Sequence, residues 1–245
     1  MKNKIINVLD VPFYNVTFNE MVNTLTNRIQ SNQKTFVVTA NPEIVMHAYE
    51  NDDYMQMVRQ ADFVTPDGVG ILIGAKILNN YIKERVTGFD MTMELLNRAN
   101  EHQWKVYLLG GKEETNEKAV TNIKIQFPNL NLIGHHHGYF NWEDKQIQKE
   151  IQQLQPDIVL VALGFPRQEK WIYENLNEFT KGIFIGVGGS IDVLAGEVKR
   201  APAFWQKLKL EWFYRLLKQP SRWRRMLVLP RFVIEVLKVK FLGHK

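Results

Sequence analysis

The sequence predicts an α/β fold with a parallel-sheet core, helices on both faces, and a basic helical appendage at the C-terminus. Apolar runs ending in glycine or proline turns alternate at least four times with helical patterns, as in parallel strands joined by helices. The 245 residues are 45% hydrophobic and 23% charged, which is typical of a globular protein. The charge is uneven: residues 197–245 carry 13 Lys/Arg and 3 Asp/Glu, against 18 and 23 in residues 1–196.

The first elements are a hairpin and a capped helix. Residues 5–9 and 11–13 have the composition of two short strands. Thr17 and Glu20 have the spacing of a capping box, and the apolar residues that follow repeat at helical spacing as far as Ile29. The sequence therefore predicts a helix over 17–29.

The next two predicted strands end in polar residues. A buried strand over 34–40 ends with Thr39 and Asn41, and a helix is predicted over 43–58, with Asn41 as a possible cap. A second strand ends in Pro66, and a helix over 68–80 follows it. Because ligands of open α/β sheets bind at the carboxyl ends of the strands, these turns form a candidate site.

Asp67 is the central candidate residue, because it lies between a proline and the flexible glycines Gly68 and Gly70. Two interpretations are open at this point. The carboxylate caps the helix that begins near Val69, or it performs catalysis at a strand-to-helix turn. Arg85, in the polar loop that follows, either binds phosphate or lies on the surface.

The later strands are predicted over 104–110, 130–135, 156–164 and 181–186. Gly110 and Gly111 precede a helix start, which is a phosphate-binding geometry, but no third glycine completes the dinucleotide fingerprint. The three consecutive histidines from His135 do not indicate a metal site, because neighbours on a strand point to opposite faces.

The C-terminal part combines tryptophans and basic residues. One helix face is predicted to carry Trp205, Leu208, Trp212, Leu216 and Leu217, and a last helix carries Phe232, Val233, Val236, Leu237 and Phe241. Basic residues beside such stripes favour a helix on an anionic membrane surface, although packing on the body is the alternative. We therefore expect a catalytic domain over 1–196 and a membrane-associating appendage over 197–245.

Several classes of protein are disfavoured by what the sequence lacks. There is no cysteine, and hence no thiolate nucleophile or disulfide. There is no Asp-x-Asp pair, which is the usual divalent-metal grip on a nucleotide diphosphate, so we expect no metal and no cofactor. The N-terminus lacks a signal-peptide pattern, and no apolar run reaches the ~20 residues of a membrane span, so a cytoplasmic location is expected.

Six motifs occur in order: Asn41-Pro with Pro66-Asp-Gly68, Arg85-Val-Thr-Gly-Phe-Asp90, Leu109-Gly-Gly111, Gly164-Phe-Pro-Arg-Gln-Glu169, Gly186-Val-Gly-Gly189 and Arg200-Ala-Pro202. With Glu211-Trp and the arginines after it, this set resembles the WecG/TagA/CpsF family of glycosyltransferases over nearly the whole chain, and the teichoic-acid branch most of all. The resemblance implies a Rossmann-like core and a peripheral enzyme on the inner face of the cell membrane.

The resemblance also implies the reaction. N-acetylmannosamine would pass from UDP-N-acetylmannosamine (UDP-ManNAc) to the 4-hydroxyl of undecaprenyl-diphosphate-linked N-acetylglucosamine (GlcNAc), with inversion and without a metal. Asp67 matches the family's base. Thr39, Asn41 and Gln168 match residues of the same pocket: Asn41 and Gln168 would hold sugar hydroxyls or the acetamido group, and Thr39 would orient Asp67 or the donor. Arg215, Arg222 and Arg225 match arginines of the family's C-terminal appendage and, with Arg85, would neutralise the diphosphates. Beyond what the resemblance implies, we expect UDP contacts at Gly110, Gly111, Gly188, Gly189 and Asp192, and further substrate contacts at Tyr139 and Gly164.

Three alternatives are open. A family member could use another donor, N-acetylmannosaminuronic acid (ManNAcA) or glucose. A dehydrogenase is disfavoured by the incomplete glycine fingerprint. A nucleic-acid-binding module would use the basic appendage but would leave Asp67, Asn41 and Gln168 unexplained, so we expect no nucleic-acid partner. Self-association and a membrane-docked monomer are equally compatible with the sequence.

Overall fold

A computed structural model describes residues 4–208, 210–218, 220 and 223–243. The strands are β1 (Ile5–Val8), β2 (Val11–Tyr14), β3 (Thr35–Ala40), β4 (Phe63–Pro66), β5 (Lys105–Gly110), β6 (Asn131–His136), β7 (Ile158–Ala162) and β8 (Ile183–Gly186). The first nine helices are α1 (Phe18–Gln30), α2 (Pro42–Glu50), α3 (Asp52–Arg59), α4 (Val69–Ile77), α5 (Gly88–His102), α6 (Glu113–Gln126), α7 (Gln146–Leu154), α8 (Arg167–Asn175) and α9 (Ser190–Leu194). The C-terminal helices are α10 (Ala203–Lys207), α11 (Glu211–Lys218), α12 (Trp223–Met226) and α13 (Val228–Leu242).

Six strands form one parallel sheet in the order β4-β3-β8-β7-β5-β6, and β1 and β2 form a separate antiparallel hairpin. Successive residues of β3 pack on opposite faces: Phe36 and Val38 join one hydrophobic cluster and Val37 joins the other. Such burial on both faces explains why the strands read as continuous apolar runs. The predicted α/β class with a parallel sheet flanked by helices is confirmed.

Local capping accounts for the helix boundaries. The predicted capping box of α1 is present, with Thr17 and Glu20 each bonding the backbone of the other. The single helix predicted over 43–58 is wrong, because Asn51 interrupts it. Its extended backbone ends α2, and its side chain accepts a hydrogen bond from Tyr54 N to begin α3.

The hydrophobic core does not stop at residue 196. Helix α13 packs on α2 and α4, and its residues Phe232, Val236 and Val239 are buried in one of the two core clusters. A Cβ added to Gly74 would lie 2.7 Å from Phe232 Cζ, so the ring lies directly on the backbone of α4. The division into 1–196 and 197–245 stays a prediction, but the two parts share a core.

The remaining appendage helices are short. The continuous stripe predicted from Trp205 to Leu217 is wrong, because the chain turns at Leu208 and Leu210 N bonds back to Trp205 O. Instead, Trp205 packs against the ring of Tyr214. Within the described part of the chain, every helix is too short or too polar to cross a membrane.

Candidate active site

A cavity of about 460 Å³ lies at the carboxyl ends of β3, β4, β7 and β8, with the appendage forming its far wall. This is the position at which open α/β sheets bind ligands. Eight of the predicted site residues line it: Thr39, Asn41, Asp67, Arg85, Gly164, Gln168, Gly188 and Gly189.

Asp67 follows β4 directly and is fixed by two hydrogen bonds. Its backbone N–H donates to Ala40 O at 2.9 Å, and its Oδ2 accepts from Gly88 N at 3.2 Å. Gly68 then turns the chain with φ +111°, and a Cβ on Gly70 would lie 2.7 Å from Pro42 Cγ. Both glycines are therefore required, one by conformation and one by close approach.

Asp67 caps a helix, but the helix is α5 and not the predicted α4. Gly68 is the N-cap of helix α4, and no side chain caps that helix. The carboxylate instead bonds Gly88, the first residue of α5, where the helix dipole favours negative charge. This bond orients the carboxyl group in the cavity wall, so capping and catalysis are compatible roles for it.

Thr39 supports Asp67 indirectly. Its Oγ1 donates to Gly186 O at 3.1 Å, which joins β3 to β8. A Cβ on Gly88 would lie 2.9 Å from the same hydroxyl, so Thr39 packs against the residue whose N–H holds Asp67. Thr39 therefore contributes to the position of α5 and, through it, to that of the carboxylate.

Asn41 uses only part of its amide for structure. Its Oδ1 accepts from Glu43 N and Ile44 N at 2.9 and 3.1 Å, which caps α2. Among the described residues we find no acceptor for its Nδ2. The predicted cap is confirmed, and the Nδ2 group can still donate to a ligand in the cavity.

Gln168 is buried, and both ends of its amide are hydrogen-bonded. Its Oε1 accepts from Gly188 N at 3.0 Å, and its Nε2 donates to Glu169 Oε1 at 2.7 Å. A Cβ on Gly186 would lie 2.6 Å from Nε2, so the amide packs against β8. Gln168 thus connects α8 to the glycine turn after β8.

Two arginines in the cavity face one carboxylate from the appendage. Arg85 Nη2 lies 3.9 Å from Glu211 Oε2, and Arg200 Nε lies 3.7 Å from Glu211 Oε1. Arg200 also bonds Asp90 at 2.6 Å and stacks on Phe89, with Cζ 4.8 Å from the ring centroid. These contacts attach the start of α11 to the loop and helix beside Asp67.

Large apolar side chains also line the cavity. Ile73 of α4 lines the cavity, and the appendage supplies Trp212, Met226, Leu229 and Val233 to the same lining. The appendage therefore supplies both the charged residues Arg200 and Glu211 and most of the large apolar side chains of the cavity.

The cavity lining does not include Gly110, Gly111, Tyr139 or Asp192, as far as the described residues go. A Cβ on Gly110 would lie 2.3 Å from Ala162 O, so close strand packing explains that glycine. Tyr139 is 68% exposed. Their roles in binding stay predictions. Arg222 lies outside the described residues, as do the side chains of Arg215 and Arg225.

Sequence reasoning assigned no role to Arg200, Glu211, Glu169 or the Gly88 amide, although all four belong to the ordered motifs. Position within a motif was the available signal, but the contacts depend on tertiary packing. Among the described residues, no three His, Cys, Asp or Glu side chains form a set that could hold a metal ion.

Comparisons with known proteins agree on one family. The family described as "Glycosyl transferase WecG/TagA/CpsF family" matches residues 6–245. The chain is 36% identical to the N-acetylglucosaminyldiphosphoundecaprenol N-acetyl-beta-D-mannosaminyltransferase of Bacillus subtilis (strain 168) over 94% of this chain and 90% of the relative. Proteins of the same name from Bacillus spizizenii (strain ATCC 23059 / NRRL B-14472 / W23) and Staphylococcus aureus (strain MRSA252) are each 37% identical, over 97% and 96% of this chain and 92% and 93% of the relatives.

Proposed function

This chain belongs to the WecG/TagA/CpsF family and is a glycosyltransferase, and from that premise we propose that it transfers N-acetylmannosamine from UDP-ManNAc to the 4-hydroxyl of undecaprenyl-diphosphate-linked GlcNAc. The names of its relatives support the sugar and the acceptor. This reaction belongs to the synthesis of the wall teichoic acid linkage unit. The observation that carries the proposal is the convergence of Asp67, Asn41, Gln168 and Arg85 on one cavity.

The proposed chemistry is a single displacement with inversion. The acceptor 4-hydroxyl attacks C1 of the donor sugar, its proton passes to the Asp67 carboxylate, and the bond from C1 to the UDP oxygen breaks. One carboxylate suffices, since one proton is removed. The hydrogen bond from Gly88 N orients that carboxylate.

The leaving diphosphate is neutralised without a metal in this proposal. Arg85 and Arg200 are the described cations of the cavity, and the guanidinium fork suits phosphate oxygens. Arg215, Arg222 and Arg225 are proposed to add charge from the appendage. Asn41 Nδ2 is proposed to hold a sugar hydroxyl or the acetamido group.

We further propose that the appendage holds the enzyme on the anionic inner face of the cell membrane, where the lipid-linked acceptor resides. Eleven of the sixteen exposed large hydrophobic side chains of the described residues lie between positions 204 and 242. The same region carries ten Lys/Arg and two Asp/Glu, and each basic residue near an anionic leaflet contributes ~1 kcal/mol of attraction. Co-sedimentation with anionic vesicles, but not with zwitterionic vesicles, is the expected result.

The substrate assignment is tested with a panel of donors. UDP release is measured with UDP-ManNAc, UDP-ManNAcA, UDP-glucose and UDP-N-acetylglucosamine, each with a lipid-diphosphate-GlcNAc acceptor, and the anomeric configuration of the product is read by NMR. We expect turnover with UDP-ManNAc and a β-linked product. Turnover with a different donor alone would overturn the sugar assignment and leave the fold and the carboxylate mechanism in place.

A further inference from the structure

Glu169 is a carboxyl group in the protein interior that the proposed chemistry does not use. It follows Gln168 in α8, has 1% of its surface exposed, and lies behind the cavity wall. Burial raises the pKa of the Glu169 carboxyl to about 7, and the hydrogen bond from Gln168 opposes that rise. An interior carboxyl of this kind is costly unless its contacts serve a purpose.

The contacts of Glu169 lead to the cavity in two steps. Its Oε1 accepts from Gln168 Nε2 at 2.7 Å, and Gln168 Oε1 accepts from Gly188 N at 3.0 Å. Gly188 and Gly189 line the cavity, whereas Glu169 does not. The relay therefore runs from the interior carboxylate through one amide to the glycine turn after β8.

A carboxylate fixes the direction of this relay. A glutamine amide can rotate by a half-turn and exchange its oxygen and nitrogen. An ionised Glu169 can only accept hydrogen bonds, so it requires Nε2 on its side and leaves Oε1 for the Gly188 N–H. The rotated amide would place oxygen against carboxylate and N–H against N–H, which breaks both bonds.

The other oxygen of Glu169 faces Tyr54 of α3. The pKa of the Tyr54 hydroxyl is raised, first by burial and then by the Glu169 charge. Tyr54 Oη and Glu169 Oε2 do not meet hydrogen-bond geometry with any described residue, although the hydroxyl is near enough to lower the pKa of the Glu169 carboxyl against the effect of burial. The bond to Gln168 is thus the contact that gives Glu169 a directional role.

We propose that Glu169 is a positioning residue that sets the Gln168 amide and, through it, the Gly188–Gly189 turn as the wall that contacts the nucleotide part of the donor. This inference rests on the proposed function. A positioning role requires the acceptor oxygen at residue 169, whereas a space-filling role requires only its volume.

Three variants separate these roles. Glu169→Leu keeps approximate volume and removes the acceptor, Glu169→Gln keeps an acceptor oxygen, and Tyr54→Phe removes the neighbouring hydroxyl as a control. For Glu169→Leu we expect UDP binding, measured by calorimetry, to weaken by about tenfold, which is ~1.4 kcal/mol, as for one hydrogen bond to a charged group. The KM for UDP-ManNAc should rise equally, with kcat within about threefold. Glu169→Gln keeps an acceptor oxygen but also carries N–H donors, so it fixes the direction of the Gln168 amide only in part and should lose less than Glu169→Leu. Tyr54→Phe should stay near wild type.

The Gly188 amide gives a readout that does not depend on turnover. Its ¹H–¹⁵N resonance should shift, and its hydrogen exchange should quicken, more in Glu169→Leu than in Glu169→Gln. An unchanged Gly188 amide with unchanged UDP affinity in Glu169→Leu, or an equal loss in Glu169→Gln, overturns the proposal. If Glu169→Leu does not fold, Glu169→Asp withdraws the carboxylate from Gln168 and serves instead. A wild type without turnover on UDP-ManNAc would refute the proposed function alone.

Discussion

Replacing Phe232 by alanine tests whether the appendage is part of the core. The ring is 1% exposed and lies on Gly74, which has no side chain that could move into the space left behind. Since Phe-to-Ala changes in cores cost about 3–5 kcal/mol and cost most where the site cannot collapse, we expect a loss of roughly 4 kcal/mol in the free energy of unfolding. The assay is urea unfolding followed by circular dichroism at 222 nm.

Phe241 provides a matched control on the same helix. It is 77% exposed, so Phe241→Ala should change the free energy of unfolding by less than about 0.5 kcal/mol. It should, however, weaken co-sedimentation with anionic vesicles. A Phe232→Ala loss below about 1 kcal/mol, or an equal loss in both variants, would refute the assignment of α13 to the core.

Three further outcomes follow from the site. Burial raises the pKa of Glu169 from an ordinary 4.5 to about 7, so the folded state binds the proton more tightly than the unfolded state. The free energy of unfolding should therefore fall as pH rises from about 4.5 to 7 and stay constant above pH 7. In urea unfolding, Glu169→Gln should lose this pH dependence and be more stable than wild type at pH 8. Arg85→Met should raise the KM for the donor by about tenfold or more. Lys83→Met removes a surface cation paired with Glu20 and should leave that KM unchanged. An equal rise of KM in both variants would contradict the role of Arg85 at the diphosphate. Gly70→Ala should reduce kcat, because its Cβ would lie 2.7 Å from Pro42 Cγ and displace the Asp67 turn; wild-type kcat would show that the turn tolerates the shift.

The sheet and the polar side of the site could be predicted from the sequence because both depend on local patterns. Continuous apolar runs identify parallel strands buried on both faces. Residues at the carboxyl ends of such strands must meet at one edge of the sheet, which places Thr39, Asn41 and Asp67 around one cavity, and Gln168 reaches it from the start of α8. Capping residues such as Thr17 are likewise read from a four-residue pattern.

The rest could not be predicted because it depends on which residues pack together across the chain. Asn51 divides a helix whose apolar spacing continues past it. The pattern of α13 favours a membrane-facing helix, but the side-chain-free backbone of Gly74 gives the Phe232 ring a surface to pack on, and Phe232 is buried. Gly110 fits a phosphate loop in sequence, yet the approach of Ala162 explains it.

The role of Asp67 is tested most directly by UDP release from UDP-ManNAc with a lipid-diphosphate-GlcNAc acceptor, in EDTA, for wild type and Asp67→Asn. Asparagine retains an oxygen for the Gly88 N–H but cannot take the proton of the acceptor hydroxyl. We predict full wild-type turnover in EDTA and a loss of about 10²–10⁴-fold in kcat for a folded Asp67→Asn. Undiminished turnover in Asp67→Asn would contradict the account and leave Asp67 as the cap of α5.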